Sequence, residues 1–329
     1  MMTDNTLKNP FNDPPGTVVT GKWHKNRYRL LKRLGAGANG AVYLAESAAG
    51  PVALKVGVST AQVASESSVL KTISKARGQS LGPSFLEADD WERGREIIPF
   101  YVMEYIDGPD LLSFVTGKGF SWAAVLVIQL LSDLQHLHEQ GWIFGDLKPE
   151  NLLVGTPGNR IRCIDPGGMT KIGRSVKEFT EFFDRGYWGL GSRKAEPSYD
   201  LFSVAMVMIN LAYPNRFLKK QANGFPQLMA AVRQHAGLCK FEAVLRKALG
   251  GGYRTAFEMR QDMLMLLTSH REKKKAKTTH RPEKQKSGQS RAKRRRFRKF
   301  KKFMAAMMII LMISVLYWYY TYGQISIPF

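Results

Sequence analysis

The segment Gly145–Asn151 (Gly-Asp-Leu-Lys-Pro-Glu-Asn) brings three side chains with complementary chemistry close together. Asp146 can accept the proton of an attacking hydroxyl, and Lys148 can neutralise charge on a phosphoryl group during transfer. Asn151 offers an amide oxygen that can ligate Mg²⁺. A charged surface turn is the alternative interpretation. The segment follows a long apolar stretch that predicts a supporting helix, which favours a site of phosphoryl transfer to a hydroxyl.

An acidic residue after the next strand candidate could complete a metal site. Asp165 follows the strand candidate Arg160–Ile164 and lies 14 positions beyond Asn151. An Asp-Pro-Gly sequence by itself is more often a turn. The order and distance of Asp165 after Asn151 favour a second Mg²⁺ ligand that also bridges nucleotide phosphates.

A glycine-rich run precedes these residues by about a hundred positions. Gly35, Gly37 and Gly40 lie between two strand candidates, and Val42 opens the second strand. Glycines let a backbone approach phosphates closely, although a tight glycine hairpin would look the same. A dinucleotide-binding fold needs a helix after the glycines. Here a strand follows, so the dinucleotide interpretation is excluded.

A lysine on the next strand can reach phosphates held by the glycine run. The strand is Val52-Ala53-Leu54-Lys55, and the helix candidate Thr60–Ala76 after it contains Glu66. An ion pair between Lys55 and Glu66 would hold the lysine in place. Their separation of 11 positions requires a tight connection between strand and helix. Taken singly, either residue is better explained as a solvated surface charge.

Together these residues resemble the eukaryotic-type Ser/Thr protein kinases, with the motifs in that family's order from Tyr28 to Thr268. The resemblance implies ATP as phosphoryl donor and Mg²⁺ as cofactor, with Mn²⁺ as an alternative metal. It implies Asp146 as catalytic base assisted by Lys148, and Asn151 and Asp165 as metal ligands. The implied ATP-binding residues are Gly35, Gly37, Gly40, Val42, Ala53, Lys55, Glu66, Met103 (the gatekeeper), Glu104 and Ile106 (the hinge). By the same resemblance Asp200 braces the catalytic loop, and Arg254 matches an arginine near the end of the fold.

The sequence departs from that family in the parts that switch a kinase and present its substrate. Phe144-Gly145 replaces the usual His-Arg, so a phosphorylated activation loop would lack its arginine anchor. We therefore expect activity without activation-loop phosphorylation. Pro166 replaces the usual phenylalanine, and Tyr187–Gly191 occupies the place of Ala-Pro-Glu. Arg254 would then lack its usual glutamate partner.

These departures leave two alternatives to a protein kinase. One is a membrane-anchored pseudokinase or nucleotide-binding scaffold, which the retained Lys55, Asp146, Asn151 and Asp165 argue against. The other is a small-molecule kinase, because related small-molecule phosphotransferases favour glycine before the catalytic aspartate, as at Gly145. The sequence Lys148-Pro149-Glu150 favours a protein kinase instead.

The elements predict a two-lobed α+β protein kinase-like fold, with a small β-rich N-lobe and a larger helical C-lobe. Residues 1–24 read as a flexible segment, 25–106 as the N-lobe and 107–270 as the C-lobe. Ser121 is expected to cap a helix that Gly141 ends. A glycine-rich loop is expected to run to about Ser198. The two cysteines in 329 residues indicate neither a disulfide framework nor a metal site.

The C-terminal part has the composition of a membrane anchor. Residues 271–302 hold 17 Lys or Arg against two Glu, which is +15 of the net +22, and are expected to form a basic juxtamembrane linker. Residues 303–322 are expected to be a transmembrane helix, and 323–329 a short outer tail; the 18 uncharged residues 303–320 span about 27 Å.

The charge beside the span predicts a single-pass cell-membrane protein with the kinase domain cytoplasmic and the C-terminus outside. Without an N-terminal apolar stretch, no signal peptide is expected. The first interpretation of residues 271–302 is a topology signal and solvated linker, and attraction to anionic lipids is a second one that can coexist with it. An unidentified protein substrate and the membrane, through residues 303–322, are the expected partners. Nucleic-acid binding is not expected, because no aromatic-interleaved binding fold accompanies the basic run.

Overall fold

The computed structural model describes the backbone of residues 11–37, 39–74 and 81–279, and the side chains of these ranges except 73–74 and 269–279. The chain divides into two units, residues 1–269 and 270–329. The described side chains all belong to the first unit, which begins with a β-rich lobe and continues as a mainly helical lobe. The two-lobed α+β prediction is thus confirmed.

An antiparallel six-stranded sheet builds the small lobe, in the order β1-β2-β3-β4-β6-β5. Alternating buried and exposed residues, as along β2 and β3, explain why these segments form a sheet with one face in the core. The strands are β1 Val18–Thr20, β2 Arg27–Gly37, β3 Gly40–Ser47, β4 Gly50–Gly57, β5 Phe85–Arg93 and β6 Glu96–Glu104.

The first helix, α1 (Thr60–Ser74), packs on this sheet through Val63 and Leu70, which are buried with Ala53, Tyr101 and Met103. Only two residues separate the end of β4 at Gly57 from Thr60. The tight connection expected from the sequence is therefore present. The end of the predicted helix, at residues 75 and 76, lies outside the described residues.

The large lobe is organised around α3 and α4, whose inward faces form one apolar core. Every residue of α4 from Tyr199 to Leu211 is buried, and such all-round burial marks the central helix of a domain. Proline starts it at the first helical position, where a missing N–H costs nothing. The helices are α2 Leu111–Lys118, α3 Ser121–Glu139, α4 Pro197–Ala212, α5 Phe225–Gln234, α6 Glu242–Leu249 and α7 Ala256–Thr279.

Short strands on the large lobe carry the segments that the sequence marks as chemical. Strand β7 (Trp142–Ile143) pairs with β10 (Thr170–Lys171), and β8 (Leu152–Gly155) pairs with β9 (Arg160–Cys163). Residues 144–151 join β7 to β8, and a 3₁₀ turn at Pro149–Asn151 closes that connection. Asp165 lies two residues beyond the end of β9 at Cys163. The two pairs therefore hold both ends of the catalytic segment and both ends of the Asp165 segment, which joins β9 to β10.

The prediction that residues 1–24 are flexible is wrong for residues 11–24. Strand β1 pairs with β2, and Val19 is fully buried. The Phe11 carbonyl accepts a hydrogen bond from the Tyr43 hydroxyl at 2.5 Å. Asp89, buried in β5, accepts backbone hydrogen bonds from Trp23 and His24. Isolated apolar residues among Pro, Gly and Asn show no periodicity, so only tertiary pairing reveals this segment; residues 1–10 lie outside the described chain.

Three further boundaries differ from the predictions. Ser121 is the first helical residue rather than the cap, because Phe120 precedes it in helical conformation and makes no side-chain capping bond. Gly141, with φ +81°, does follow the helix end. The expected loop to Ser198 contains β10 and a 3₁₀ turn at Glu181–Phe183. Helix α7 continues to Thr279, past the expected linker start at 271.

Among the described residues, no helix has the length and apolar character needed to cross a membrane. The predicted span 303–322 and most of the basic linker, 280–302, lie outside the described residues.

Candidate active site

A cleft of about 520 Å³ opens between the glycine hairpin of β2 and β3 and the segments around Asn151 and Asp165. Its volume is typical of a small-molecule site. Both lobes line it, so residues more than a hundred positions apart meet there. The sequence-predicted residues on its wall are Gly35, Gly37, Gly40, Val42, Ala53, Lys55, Met103, Glu104, Ile106, Asn151 and Asp165.

The glycine hairpin fits a role in approaching phosphates. Gly40 has φ +120°, and an added Cβ would collide with the Val56 carbonyl oxygen. Gly35 and Gly37 have open space where a Cβ would project, so their backbone is accessible from the cleft. Only glycine can occupy position 40 without this collision. The absence of side chains at Gly35 and Gly37 leaves room for a ligand's phosphates.

Lys55 is anchored by the expected partner. Its ammonium lies 2.7 Å from the Glu66 carboxylate, and both side chains are more than nine-tenths buried. The Tyr101 hydroxyl donates to the same carboxylate at 2.9 Å, and Gln62 donates to its other oxygen at 2.9 Å. Burial and the neighbouring Glu66 raise the pKa of Tyr101 well above its usual range, so that hydroxyl keeps its proton. The predicted Lys55–Glu66 ion pair is confirmed.

Asp146 stands at the centre of a small polar cluster just beyond the cleft. The Lys148 ammonium lies 2.5 Å from one carboxylate oxygen, and the Thr180 hydroxyl donates to the other at 3.0 Å. Lys148 also reaches the Thr180 oxygen at 3.2 Å. The Asn151 amide donates to the backbone carbonyl of Asp146 at 3.3 Å. The base, the cation and the metal ligand predicted from one short segment therefore meet at one point.

The catalytic segment is fixed from behind by Asp200 of α4. This fully buried carboxylate accepts hydrogen bonds from the backbone N–H groups of Phe144 at 2.7 Å and Gly145 at 2.9 Å. His138, at the end of α3, contacts it through Nε2 at 2.9 Å. The bracing contact implied for Asp200 is thus present, and His138 is an addition that the sequence did not indicate.

Comparison with known proteins agrees with this geometry. Residues 28–291 match the protein kinase domain family. The chain belongs to the protein kinase family. It is 53% identical to the serine/threonine-protein kinase YabT of Bacillus subtilis over 266 residues, which are 80% of this chain and 78% of that protein. With similarity over most of both chains, this protein is an ATP-dependent serine/threonine protein kinase.

More distant kinases match shorter parts of the chain. Protein kinase PVPK-1 of Phaseolus vulgaris is 37% identical over 147 residues, covering 42% of this chain and 24% of that protein. The serine/threonine-protein kinase PrkC of Bacillus subtilis is 24% identical over 211 residues, covering 59% and 31% of the two chains. The similarity to kinases thus extends beyond one relative.

The oxygen donors in the cleft of this kinase fit Mg²⁺. Asp165 follows β9 with its side chain half exposed, and its Oδ1 lies 3.8 Å from the Lys55 ammonium. The backbone N–H of Gly167 donates to the same oxygen at 3.1 Å. Asn151 lines the same cleft. A carboxylate and an amide are hard ligands of the kind that Mg²⁺ and Mn²⁺ take. The assignment of both residues as ligands stays a prediction.

The hinge residues lie where the family resemblance implies, but one side chain is already engaged. Glu104 pairs with Arg162 of β9 at 2.8 Å and accepts from the Ser84 N–H and hydroxyl, each at 3.0 Å. Burial alone would raise its pKa, yet these hydrogen bonds outweigh burial and lower it. Glu104 therefore stays ionised and ties the hinge to β9. Met103 and Ile106 supply apolar surface at the cleft.

The replacement of arginine by Gly145 has a steric cause. Gly145 has φ +86°, and a Cβ there would lie 2.5 Å from the Gly168 carbonyl oxygen. The segment after Asp165 thus packs directly on the catalytic segment, in space that a side chain would need. The arginine is not merely absent, because this backbone arrangement has no place for one.

A buried carboxylate that sequence reasoning missed organises the loop after Thr180. Asp184 is fully buried and accepts from Arg193 at 2.7 and 2.8 Å. It also accepts from the Tyr199 hydroxyl at 2.9 Å and from the N–H groups of Gly186 and Tyr187. All its capacity is used, so the loop closes on itself around this residue.

A second ion pair, also with one buried partner, lies in the same loop. Arg185 is almost fully buried and contacts Glu196 at 2.7 Å, the Ser192 carbonyl at 2.6 Å and the Ser198 hydroxyl at 2.8 Å. The Arg185 hydrogen bond lowers the pKa of Glu196 despite partial burial. The Arg254 backbone N–H donates to Glu258 at 3.2 Å, and among the described residues its side chain has no ion-pair partner. The Asp184–Arg193 and Arg185–Glu196 pairs lie within this loop. They stand in place of the long-range pair that the family resemblance implies between Arg254 and the glutamate of Ala-Pro-Glu.

Sequence reasoning also missed Thr180, which touches both Asp146 and Lys148. No local pattern marks this threonine, because its role depends on a loop returning to the catalytic segment. A signal did exist for the buried pairs. Acidic and basic residues occur together at 184–185 and at 193–196, in an otherwise glycine-rich stretch.

Proposed function

We propose that this protein transfers the γ-phosphate of ATP to serine or threonine hydroxyls of a protein substrate at a membrane surface. The observation that supports it most is the contact set of Asp146, Lys148 and Thr180 beside a cleft lined by Lys55 and Asp165. A scaffold that only bound nucleotide would have no use for a base, a cation and a threonine assembled outside the nucleotide cleft.

The residues divide the chemistry among themselves. Asp146 accepts the proton of the incoming hydroxyl, and its two carboxylate oxygens are positioned by Thr180 and Lys148. Lys148 places a positive charge beside the transferring group, and Lys55, held by Glu66, does the same on the nucleotide side. Asn151 and Asp165 would hold Mg²⁺, which when bound would supply further charge neutralisation on the phosphates. Gly35, Gly37 and Gly40 cover those phosphates with backbone.

Transfer is tested with the full-length chain, labelled ATP and Mg²⁺, with and without generic protein substrates. We expect label on serine and threonine, and no label above background with Asp146→Asn. Asp262→Asn, which alters a half-exposed carboxylate of α7 paired with Lys247, is the matched control and should retain activity. Equal labelling by wild type and Asp146→Asn would show that Asp146 is not the catalytic base. No labelling by either would favour a pseudokinase.

The membrane part of the proposal is supported by composition. Residues 303–320 carry no charge, and residues 294–302 before them are strongly basic. The kinase domain then lies in the cytoplasm, and each Lys or Arg of 271–302 near anionic lipid adds on the order of 1 kcal/mol of attraction.

Alkaline carbonate extraction tests the anchor. The full-length chain should stay in the membrane pellet, and a chain ending at 302 should move to the supernatant. Release of the full-length chain would contradict a spanning helix, while retention of the shortened chain only until salt is raised would assign the attachment to charge.

A further inference from the structure

Two paired segments between β9 and α4 form a surface that no step of the proposed phosphoryl transfer uses. Residues 171–177 run beside residues 192–195, and we call them the basic ribbon. The Gly173 N–H donates to the Ala195 carbonyl at 2.8 Å, and the Ala195 N–H donates to the Arg174 carbonyl at 2.7 Å. The Val176 N–H donates to the Arg193 carbonyl at 2.9 Å. The ribbon is therefore a defined structure and not an irregular loop.

The ribbon carries only one sign of charge. Its ranges contain five basic residues and no acidic one, and all five are exposed: Lys171, Arg174, Lys177, Arg193 and Lys194. Arg193 is bound to Asp184. Within the part of the chain that the structure describes, the other four have no carboxylate within ion-pair distance. Of these four, Lys194 interacts electrostatically with Glu196 beyond ion-pair distance. Exposed charges of one sign that form no ion pair create a field that attracts the opposite sign.

Burial of two ribbon residues holds these charges in place. Val176 and Ala195 are buried in one apolar cluster with Ile143 of β7 and Tyr199 of α4. The same two elements carry the catalytic segment and Asp200. The charges therefore have a fixed position relative to Asp146, as a recognition surface requires.

The ribbon lies within reach of a substrate placed at Asp146. Lys177 is three residues before Thr180, whose hydroxyl contacts Asp146, so the chain between them spans at most about 10 Å. Phe179, exposed beside Thr180, is covered by the Arg193 guanidinium at 3.9 Å from the ring centre. Glu178 is engaged elsewhere, since it accepts from Asn39 of the glycine hairpin at 3.0 Å. A peptide with its hydroxyl at Asp146 would extend over basic side chains.

We propose that the basic ribbon binds acidic side chains of the protein substrate, so that the kinase selects serine or threonine flanked by aspartate or glutamate. This inference rests on the proposed function. A nucleic-acid partner is the rival explanation of a basic patch. The position of the ribbon, within a few residues of the catalytic contact, favours the peptide.

Two peptides of the same length test the selection. Both carry one serine, flanked in one by Asp and Glu and in the other by Asn and Gln. For the full-length chain we expect kcat/KM for the acidic peptide to exceed that for the neutral one by about tenfold. Raising the salt concentration should reduce the ratio, because exposed charges are screened. Comparison of variants cancels the contribution of the basic segment 271–302, which all of them keep.

The variant Arg174→Glu/Lys177→Glu/Lys194→Glu should lower that ratio by about tenfold. Arg193 is left intact because it holds Asp184. The matched control is Lys118→Glu/Lys240→Glu, two exposed lysines on other elements, and should keep the wild-type ratio. An unchanged melting temperature of the triple variant shows that the loss is not unfolding.

The outcomes separate the claims. Equal kcat/KM for the two wild-type reactions, or an unchanged ratio in the triple variant, overturns the ribbon proposal and leaves the kinase intact. Loss of binding to a duplex oligonucleotide in the triple variant, with the peptide ratio unchanged, assigns the ribbon to nucleic acid and also overturns it. No phosphorylation of either peptide by wild type removes the proposed function itself.

Discussion

The cleft around Lys55 and the loop around Asp184 are both held by ion pairs with at least one buried partner, but they relate to the sequence in opposite ways. Lys55 and Glu66 pair as the protein kinase family does, across a strand and a helix. Asp184–Arg193 and Arg185–Glu196 pair within one loop and replace a motif that the chain lacks. The nucleotide end is thus conventional, and the substrate end is rebuilt from local contacts.

The difference follows from what each region must bind. ATP and its metal are the same in every kinase, so their geometry permits one arrangement of lysine, carboxylate and glycine. A protein substrate differs from one kinase to the next, so the loop that receives it needs only to be rigid. Any buried, fully hydrogen-bonded ion pair can supply that rigidity.

The largest expected effect lies at the conventional end. Lys55→Met removes a charge near the phosphates and leaves Glu66 buried without its cation. We expect kcat to fall by about 100-fold or more, measured as initial rates on a protein substrate with saturating Mg-ATP. Lys240→Met, an exposed lysine on a 3₁₀ turn, should keep the wild-type kcat. A Lys55→Met enzyme within twofold of wild type would show that this pair is structural only.

The rebuilt loop should respond through stability as much as activity. Asp184→Asn puts an amide in place of a fully buried carboxylate, and the amide nitrogen cannot accept the hydrogen bonds that Asp184 takes from Arg193 and from the loop backbone. We expect a loss of about 3 kcal/mol in the free energy of unfolding. Asp262→Asn, a half-exposed carboxylate paired with Lys247 and Tyr253, should lose less than about 1 kcal/mol. Urea denaturation of both variants measures the difference. Equal losses would mean that Asp184 does not hold the loop.

The two regions differ in which of their residues could be predicted from the sequence. Lys55, Asp146, Asn151 and Asp165 were predictable because their chemistry demands fixed residue types at characteristic spacings. Thr180 and the Asp184 and Arg185 pairs were not, because their partners are chosen by how a loop folds back. The packing of residues 11–24 was missed for a related reason, since a three-residue strand has no periodicity of its own.

The glycine before the base joins the two regions, and its substitution should have an intermediate effect. Gly145→Ala places a Cβ against the Gly168 carbonyl at a positive φ, and we expect a loss of roughly 2 kcal/mol in stability. Gly141→Ala has a similar φ of +81° but open space around the Cβ. It should lose only about 1 kcal/mol. Thermal unfolding of both variants measures the difference. A larger loss for Gly145→Ala indicates the collision with Gly168, whereas equal losses would indicate the positive φ alone.

The smallest expected effect comes from a buried acid on α3. Burial raises the pKa of Asp133 to about 6, although Arg160 opposes the shift. Because the folded pKa lies above the unfolded value, this residue binds more protons in the folded state and costs stability as pH rises through 4 to 6. Asp133→Asn should therefore gain on the order of 1 kcal/mol relative to wild type at pH 7.5 but not at pH 4. A gain independent of pH would contradict this explanation.

The central claim is that the ion pairs within the loop 166–198 hold it in place, so that activity does not require its phosphorylation. The direct test is the initial rate of the full-length chain carrying Ser175→Ala and Ser192→Ala, treated with phosphatase and shown by mass spectrometry to lack phosphate in that loop. Neither exposed hydroxyl can then regain phosphate during the assay. We expect a rate within about twofold of untreated wild type, because position 145 is a glycine and no arginine there could bind a phosphate. A fall of tenfold or more would contradict it.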